Sequence, residues 1–401
     1  MRRLSLGLPA LPGFHRREPF APGDLGYVPK RARLRLHNRV IPLVGGREAF
    51  PAMLEAIRRA RKHVHFEMYI LRDDGIGREF HRALLECAKT GVTVRVVYDG
   101  LGSFGLASAY VDELRAAGIE VHVFHPIAPW RARWGLNRRD HQKILVVDDE
   151  VAFCGGINVG DEYKPVEQGG GGWHDVHARV EGPAVADLAR LFQRTWSAVG
   201  GTPFPEPQSP KPERPSNAHT ARVEVISNTR LQTRSRMRYA YVHAIRRANT
   251  SIYIMNAYFI PDRGLRRVFA DATKRGVDVR VIVPSTSDVA AVYWASRHLY
   301  GRLLRRGVRI FEWPERMMHA KTGVIDGVWT TIGSYNLDKR SLLHNLEVAL
   351  VSVDRPLGER LHAQFEKDLT ICREVTLDEW RKRSRWSKWL EWFFFQLRYW
   401  L

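Results

Sequence analysis

The sequence predicts an α/β protein made of two tandem copies of one fold, packed as a pseudo-twofold unit with the active site between them. Three observations predict this. Apolar segments with the spacing of strands alternate with segments that have helical spacing. One polar motif occurs twice, at equivalent places in the two halves. A proline-rich stretch separates the copies, and 401 residues are enough for two of them.

The first copy is predicted over residues 37–199, after an irregular arm at 1–36 that is rich in Arg, Pro and Gly. Apolar positions at helical spacing predict helices at 47–62, 75–90, 107–117 and 183–199. Apolar and β-branched runs predict strands at 64–71, 92–99, 119–124, 144–147, 150–158 and 174–182. This alternation indicates a layered architecture of helices on a sheet.

The second copy is predicted over residues 218–375, beyond a linker at 200–217 that holds six prolines. Its segments repeat the order of the first copy, and Tyr258 corresponds to Tyr69. The matching segments are "SIYIMNAYFI" (251–260) with "HVHFEMYILR" (63–72), "GVDVRVIV" (276–283) with "GVTVRVVY" (91–98), and "GVRIF" (307–311) with "GIEVH" (118–122). A repeat of this extent predicts a duplicated fold.

The repeated motif reads H-x-K-x4-D-x6-G-[GS]-x-N. It begins as "HQKILVVD" at 141–148 and as "HAKTGVID" at 319–326. The downstream residues repeat as well, with Gly155-Gly156-Ile157-Asn158 in the first copy and Gly333-Ser334-Tyr335-Asn336 in the second. One copy alone is typical of a buried strand with polar ends. A chance match, however, has no reason to recur at the equivalent place in a second copy.

The motif residues suit the chemistry of a phosphodiester. A His and a Lys two residues apart on a strand point to the same face, so we expect His141 with Lys143 and His319 with Lys321 to share one site. The lysines would hold the non-bridging oxygens, one imidazole would attack phosphorus, and the other would protonate the leaving oxygen. Asp148 and Asp326 complete the predicted catalytic set, although each ends a strand and could accept turn or core hydrogen bonds instead.

Further polar residues surround the motif. Small residues, including Gly156 and Ser334, would let the backbone and the side chains of Asn158 and Asn336 approach the phosphate. Aligning "WHDVHA" (173–178) with "NLEVAL" (345–350) places Asp175 opposite Glu347. A carboxylate on the second ring nitrogen would orient each histidine, although both acids could also be solvated strand residues.

A metal site is the rival interpretation, because His141, His174, Asp175 and His177 lie close together in sequence. The motif lysines would repel a cation at the same place, and cysteines at the spacing of metal ligands are missing. We therefore predict that the site uses neither a metal nor a cofactor.

Composition narrows the choice of partners. The net charge of +20 and the pI near 10.2 predict attraction to polyanions, which are either nucleic acid or an anionic membrane surface. Three scattered cysteines, Cys87, Cys154 and Cys372, are too few for a disulfide framework. The N-terminus lacks the apolar core of a secretory signal, and no run of about 18 apolar residues occurs, so we expect a protein on the cytosolic side.

The doubled motif with its G-[GS]-x-N continuation resembles the phospholipase D superfamily over about residues 38–372. Within it, the chain is most similar to bacterial cardiolipin synthases of the B-type, which lack N-terminal membrane spans, and the Gly-Gly of the first copy fits that subgroup. The resemblance implies two α-β-α sandwich halves and a phosphatidyl-histidine intermediate resolved by an alcohol. It also implies His141 as the nucleophile and His319 as the general acid. The product would be cardiolipin, formed from two phosphatidylglycerols with release of glycerol.

Two aromatic and basic segments favour a membrane over nucleic acid as the partner. The segment 376–401 ends in "RWSKWLEWFFFQLRYWL" (385–401), which is typical of an interfacial helix, although a terminal helix docked on the core is the alternative. The loop 126–140 interleaves Trp130 and Trp134 with arginines and could contact either lipid or single-stranded bases. We therefore expect peripheral attachment to the cytoplasmic face of a bacterial inner membrane. A phosphodiesterase or nuclease that uses water, and a catalytically silent binding protein, are the alternatives.

Overall fold

The computed structural model describes residues 22–126, 137–208, 221–229, 233–314 and 316–399. Short 3-10 helices at Pro22–Tyr27 and Arg31–Arg33 occupy the end of the predicted arm, and the first strand begins at Arg35. Over these ranges the strands form one continuous fifteen-stranded sheet.

The strands of the first half are β1 (Arg35–Val44), β2 (His63–Met68), β3 (Thr93–Asp99), β4 (Glu120–Phe124), β5 (Lys143–Val147), β6 (Val151–Gly155) and β7 (Val176–Glu181). Those of the second half are β8 (Ala221–Ser227), β9 (Ser251–Asn256), β10 (Asp278–Pro284), β11 (Arg309–Trp313), β12 (Lys321–Ile325), β13 (Trp329–Gly333), β14 (Val348–Val353) and β15 (Arg373–Val375). The predicted strand at 64–71 ends early, because Leu71 forms only an isolated bridge with Val159.

The helices of the first half are α1 (Gly45–Arg58), α2 (Gly75–Lys89), α3 (Ser108–Ala116) and α4 (Ala184–Ala198). Those of the second half are α5 (Arg236–Arg247), α6 (Arg263–Lys274), α7 (Ala290–Leu304), α8 (Lys339–Leu343), α9 (Arg355–Leu369), α10 (Leu377–Arg381) and α11 (Arg385–Gln396). Asp74, Asp262 and Asp354 cap the starts of α2, α6 and α9 by accepting backbone N–H bonds. None of the described helices combines the length and the hydropathy that a membrane crossing requires.

The order of the strands confirms the predicted duplication. From the middle outwards, the first half runs β1-β7-β6-β5-β2-β3-β4 and the second half runs β8-β14-β13-β12-β9-β10-β11, with β15 added at the edge. The two orders are related by a pseudo-twofold axis between β1 and β8, which pair antiparallel. Buried Asn38 strengthens this junction, because its amide donates to the carbonyls of Arg35 and Ala221 and accepts from the N–H of Ala184.

Each half is an α-β-α sandwich. Helices α1 to α3 cover one face of the first half, and α5 to α7 cover the corresponding face of the second, each over its own apolar core. Helices α4 and α9 lie on the other face and share a third core to which both halves contribute. Since α4 packs on β8 and α9 packs on β1, the two halves are joined by this core as well as by the sheet.

Candidate active site

The two predicted histidines lie at the junction of the halves. The backbone N–H of His141 donates to the carbonyl of Leu346 at 2.9 Å, and that of His319 donates to the carbonyl of His174 at 2.7 Å. Each motif strand thus begins beside a segment of the opposite half, and the two arrangements repeat the pseudo-twofold relation. Both imidazoles are buried. The structure therefore brings the two motif copies together, as the sequence predicts.

A carboxylate of the opposite half holds each histidine. Nδ1 of His141 lies 2.9 Å from Oε2 of Glu347, and Nδ1 of His319 lies 2.7 Å from Oδ2 of Asp175. Both acids are fully buried, which rules out the alternative that they are solvated strand residues. The sequence predicted two orienting acids, but it could not show that they cross between the halves. Because Nδ1 of each ring is engaged, Nε2 is the nitrogen left for chemistry.

The motif lysines lie beside their own histidines. Nζ of Lys143 donates to the carbonyl of His141 at 2.7 Å. Nζ of Lys321 donates to the carbonyl of His319 and lies 2.9 Å from its Nδ1. Burial lowers the pKa of Lys143 to about 7 and that of Lys321 to about 8, against the nearby carboxylates, which raise both. Loss of contact with water therefore destabilises the charged form of both ammonium groups. An anionic ligand bound beside them would offset this desolvation cost.

The two histidines are not electrostatically equivalent. Burial, followed by the charges of Lys143 and Lys321, lowers the pKa of His141 well below its usual value. Burial also lowers the pKa of His319, but Asp175 opposes that shift. Burial raises the pKa of Glu347 to about 7, whereas Lys321 and His319 outweigh burial and keep the pKa of Asp175 below its usual value. The charged form is therefore more strongly favoured for Asp175, which is paired with His319, than for Glu347, which is paired with His141.

Gly156 and Ser334 occupy equivalent positions with different consequences. A Cβ atom on Gly156 would lie 2.2 Å from Oδ1 of Asp175, so this position must stay free of a side chain. In the second half the acid is Glu347, and the Ser334 side chain fits and donates a hydrogen bond to it. Ser341 also donates to Glu347, at 2.7 Å. Gly156 and Ser334 therefore accommodate the carboxylates of Asp175 and Glu347, and do not form a binding place for the phosphate.

The two predicted asparagines are buried near the centre. Asn158 accepts from the N–H of Ile70 and donates to the hydroxyl of Tyr163 at 2.8 Å, and that hydroxyl lies 3.1 Å from Nδ1 of His319. Oδ1 of Asn336 is buried without a hydrogen-bond partner among the described residues. Asn158 thus supports the His319 pair through Tyr163, whereas Asn336 has a carbonyl oxygen available to a ligand.

Asp148 and Asp326 do not lie with the histidines. Each follows its motif strand at the end opposite the His and Lys, with a positive φ of 57° for Asp148 and 52° for Asp326. The Asp148 carboxylate accepts the backbone N–H groups of 61, 62 and 63, and the Asp326 carboxylate accepts those of 249, 250 and 251. Tyr27 also donates to Asp326, at 2.5 Å. The assignment of these two acids to the catalytic set is therefore corrected: they fix the loops that lead into β2 and β9.

Two tyrosines at the centre were missed as site residues, although the repeat alignment had paired them. The ring of Tyr69 packs against His141 with centroids 4.8 Å apart, and Nζ of Lys143 lies 4.9 Å from the centre of the same ring. Tyr258 packs edge-on to His319 at 6.2 Å and donates to Asp288 at 2.7 Å. Their recurrence at matching places was the signal that could have identified them.

Two further expectations concern ligands and loops. Over the residues that the structure describes, no group of three or more His, Cys, Asp or Glu is placed to hold a metal ion. His174 and His177, from the rival metal interpretation, do not join such a group, and His174 instead bonds Asp368 at 3.0 Å. Most of the loop 126–140, including both its tryptophans, lies outside the described residues.

Comparison with known proteins identifies the family. The family model described as "Cardiolipin synthase, PLD-like domain" matches residues 53–196 and 241–369. Cardiolipin synthase 2 of Bacillus anthracis is 34% identical over 341 residues, which are 85% of this chain and 66% of the relative. Cardiolipin synthase A of Pseudomonas syringae pv. syringae is 35% identical over 361 residues, which are 90% of this chain and 74% of the relative.

A solved structure supports the fold. Phosphatidylserine synthase from Haemophilus influenzae Rd KW20 superposes with a TM-score of 0.66 at 14% sequence identity, over 92% of this chain and 98% of that one. The likeness at this identity concerns the fold alone. This chain spans just under two thirds of the Bacillus anthracis relative. The matched family model, the curated relatives and the doubled motif agree, and the chain belongs to the cardiolipin synthase family of PLD-like proteins.

Proposed function

We propose that this chain is a cardiolipin synthase, which transfers the phosphatidyl group of one phosphatidylglycerol to a hydroxyl of another and releases glycerol. One observation carries the proposal: two buried histidines meet at the junction of the halves, each paired with a carboxylate of the opposite half and flanked by a lysine. Membership of the cardiolipin synthase family supports the same substrate class.

The reaction would proceed in two displacements. Nε2 of His141 attacks phosphorus, the bond from phosphorus to the glycerol oxygen breaks, and His319 protonates that oxygen. His319 then takes the proton from a hydroxyl of the second phosphatidylglycerol, whose oxygen attacks phosphorus and releases His141. Lys143 and Lys321 hold the non-bridging oxygens throughout, where negative charge accumulates.

The electrostatic difference between the pairs supports these roles. A nucleophilic imidazole must be neutral, and the pKa of His141 is lowered well below its usual value by burial and by the nearby lysines. A general acid must hold a proton, and the charge of Asp175 opposes the lowering of the pKa of His319 by burial and by Lys321. Asp148 and Asp326 are given a structural role in this scheme, and Asp175 and Glu347 are positioning residues.

A membrane location follows from the substrate. We infer that the protein is peripheral on the cytoplasmic face of the bacterial inner membrane. Helix α11 packs on the core through Phe395 and exposes Trp386, Trp389, Trp392 and Phe393 on its other side. Exposed aromatic rings next to basic residues are typical of helices that lie in the headgroup region.

The decisive experiment incubates the purified chain with vesicles of labelled phosphatidylglycerol and resolves the lipids. Cardiolipin and glycerol are the expected products. Phosphatidic acid alone would mean that water replaces the second lipid. Cleavage of DNA without lipid turnover would support the second candidate, a nuclease of the same fold, which the net charge of +20 favours.

Matched variants test the assigned residues. His141→Ala and His319→Ala should each lower turnover by roughly four orders of magnitude or more, because the two groups act as a unit. His243→Ala, on α5, removes an imidazole away from the centre and should retain activity. Quenching the reaction should trap a phosphatidylated peptide that contains His141, whereas a trapped peptide that contains His319 would reverse the two roles.

A further inference from the structure

A strongly basic groove lies outside the active site, between α6 and the end of α7. Its volume is about 790 Å³. The cationic side chains that line it are Arg263, Arg266, Arg267, Lys274, Arg302, Arg305 and Arg306. Asp271 is the single acidic residue in the lining. None of the residues assigned to catalysis lines this α6–α7 groove.

The arginines of the groove are not neutralised within the protein. Across the described ranges, none of the six lies within ion-pair distance of a carboxylate, although many arginines elsewhere in the chain form such pairs. Arg266 donates to the carbonyl of Pro261, at 2.8 Å. Burial, followed by the charge of Arg302, lowers the pKa of Arg266, and the nearby carboxylate of Asp262 opposes this shift without reversing it. Like charges gathered in a groove destabilise the fold unless an anion binds there.

The duplication provides an internal comparison. Helices α2 and α3 occupy the places in the first half that α6 and α7 occupy in the second. The first pair is balanced, since α2 has three basic and two acidic residues and α3 has one basic and two acidic. By contrast, α6 has four basic residues and one acidic, and α7 with Arg305 and Arg306 has four basic residues and none acidic. The fold therefore does not require the charge of the groove.

The groove continues towards the aromatic helix at the C-terminus. A neighbouring cavity of about 390 Å³ shares Arg263, Arg266 and Arg302 with the groove and is also lined by Phe395 and Arg398. On α11, Trp386 stacks on Trp389 at 5.0 Å, and Trp389 stacks on Phe393 at 5.5 Å, in an exposed row. Basic groove and apolar rings together match the two layers of a membrane surface, anionic headgroups and the apolar region beneath them.

We propose that the α6–α7 groove binds the phosphate groups of anionic phospholipids at a site separate from the catalytic centre, and so holds the protein on the membrane while the active site turns over. Guanidinium groups suit this ligand, because each can donate two parallel hydrogen bonds to a phosphate. The inference rests on the proposed function, whose substrate is an anionic lipid, and it therefore commits to a lipid rather than a nucleic acid. The groove reaches helix α11 through Phe395, and the exposed aromatic rings lie on the other side of the same helix.

The test compares two triple variants of the full chain that lose the same net charge. The groove variant is Arg266→Gln, Arg302→Gln and Arg306→Gln. The control is Arg58→Gln, Arg61→Gln and Arg82→Gln, three exposed arginines of the first half. Binding is measured by sedimentation with phosphatidylcholine vesicles, with and without phosphatidylglycerol, and in the His141→Ala background, so that the result does not depend on turnover.

The groove variant should bind vesicles that contain phosphatidylglycerol at least about tenfold more weakly, and the control less than about threefold more weakly. Arg→Lys substitutions at the three groove positions keep the charge but not the paired hydrogen bonds, and should restore binding in part, which separates loss of charge from loss of fold. Equal weakening by both triples would overturn the proposal, because the attraction would then be diffuse. Weakened binding of single-stranded DNA with unchanged vesicle binding would identify a nucleic-acid site and overturn it too.

Discussion

Asp175 and Glu347 each act on a histidine that belongs to the other half of the chain. Their carboxylates lie within 2.9 Å of the imidazoles and are excluded from water. A buried acid in this position fixes the tautomer and stabilises the imidazolium that forms during proton transfer. The two histidines proposed to react with the substrate and the two acids paired with them are thus divided evenly between the two copies.

We predict that Asp175→Asn and Glu347→Gln each lower turnover by about 10²- to 10⁴-fold, with little change in the temperature of unfolding. The amide keeps the shape but removes the charge that favours a protonated imidazole. Because Asp175 serves the proposed general acid, Asp175→Asn should also move the pH profile, which a purely structural role would not do. Steady-state kinetics across pH and a thermal melt check both statements, and full activity in either variant would contradict them.

A second prediction concerns the alkaline side of the pH profile. Lysine carries its charge below its pKa, and burial lowers that pKa to about 7 for Lys143 and to about 8 for Lys321. The ratio kcat/KM, which reports the free protein, should therefore fall as the pH rises from 7 to 8. The acid limb should lie well below the usual pKa of histidine, because His141 stays neutral there. Lys143→Arg should move the alkaline limb upwards, towards the pKa of about 8 of Lys321, since arginine keeps its charge. A profile that stays flat through pH 8 would refute the assignment.

The sequence identified the reactive groups better than their contacts. A motif that occurs twice can be recognised from the sequence alone. Both His–Lys pairs could therefore be named, and so could the two orienting acids, Asp175 and Glu347. The crossed pairing of Glu347 with His141 depends on two segments 206 residues apart, which no local pattern encodes. Asp148 and Asp326 were misassigned because a turn-capping carboxylate and a catalytic one look alike in a motif. In the structure, each aspartate lies a strand's length away from the His and Lys of its own motif.

Helix α11 combines the two interpretations that the sequence left open. One face is docked: Phe395 stacks on His298, and buried Glu391 pairs with Arg383 at 2.8 Å. The other face exposes aromatic rings, with Trp386 66% exposed. Phe394, which would be expected on the membrane side, packs partly against the core. Deleting the segment would therefore uncover α7, and substitution is the cleaner test.

We predict that the triple variant Trp386→Ser, Trp389→Ser and Phe393→Ser weakens binding to anionic vesicles by about tenfold or more at every salt concentration, because the lost contribution is apolar. High salt alone should weaken binding of the unaltered chain without abolishing it. The matched control is Leu36→Ser, Phe104→Ser and Tyr239→Ser, three exposed apolar side chains elsewhere. If the aromatic variant sediments with vesicles as completely as the control does, then α11 serves only to cover α7.

At the scale of the whole molecule, one sheet unites the halves. The sequence predicted two copies separated by a linker at 200–217. It missed β1 and β8, the strands that join the copies in the middle of the sheet. Part of the predicted linker is in fact docked on the first half, where Phe204 packs against Arg95 and the Trp196 indole donates to the carbonyl of Thr202 at 2.8 Å. The halves are therefore less separate in the fold than the sequence predicts, because one sheet joins them.

This union leads to a prediction about mixtures. Chains with His141→Ala and chains with His319→Ala each lack one of the two imidazoles proposed for catalysis. If every catalytic centre is built from the two halves of one chain, as the pairing of β1 with β8 implies, mixing the folded proteins should leave activity at background. Assays of each variant alone and of an equimolar mixture check this. Recovery of a substantial fraction of the activity on mixing would mean that halves exchange between chains.

The crossed carboxylates also have a consequence for protein synthesis. A ribosome releases the N-terminal half first, and domains generally begin to fold in that order. The emerging half already contains His141 and Lys143, but the acid paired with this histidine is Glu347, which lies 206 residues further along the chain. A nascent chain that exposes His141, the proposed nucleophile, therefore lacks the carboxylate proposed to orient it. If the proposed function holds, we therefore expect an unfinished copy to leave lipids uncleaved until the second half has been made and has folded onto the first.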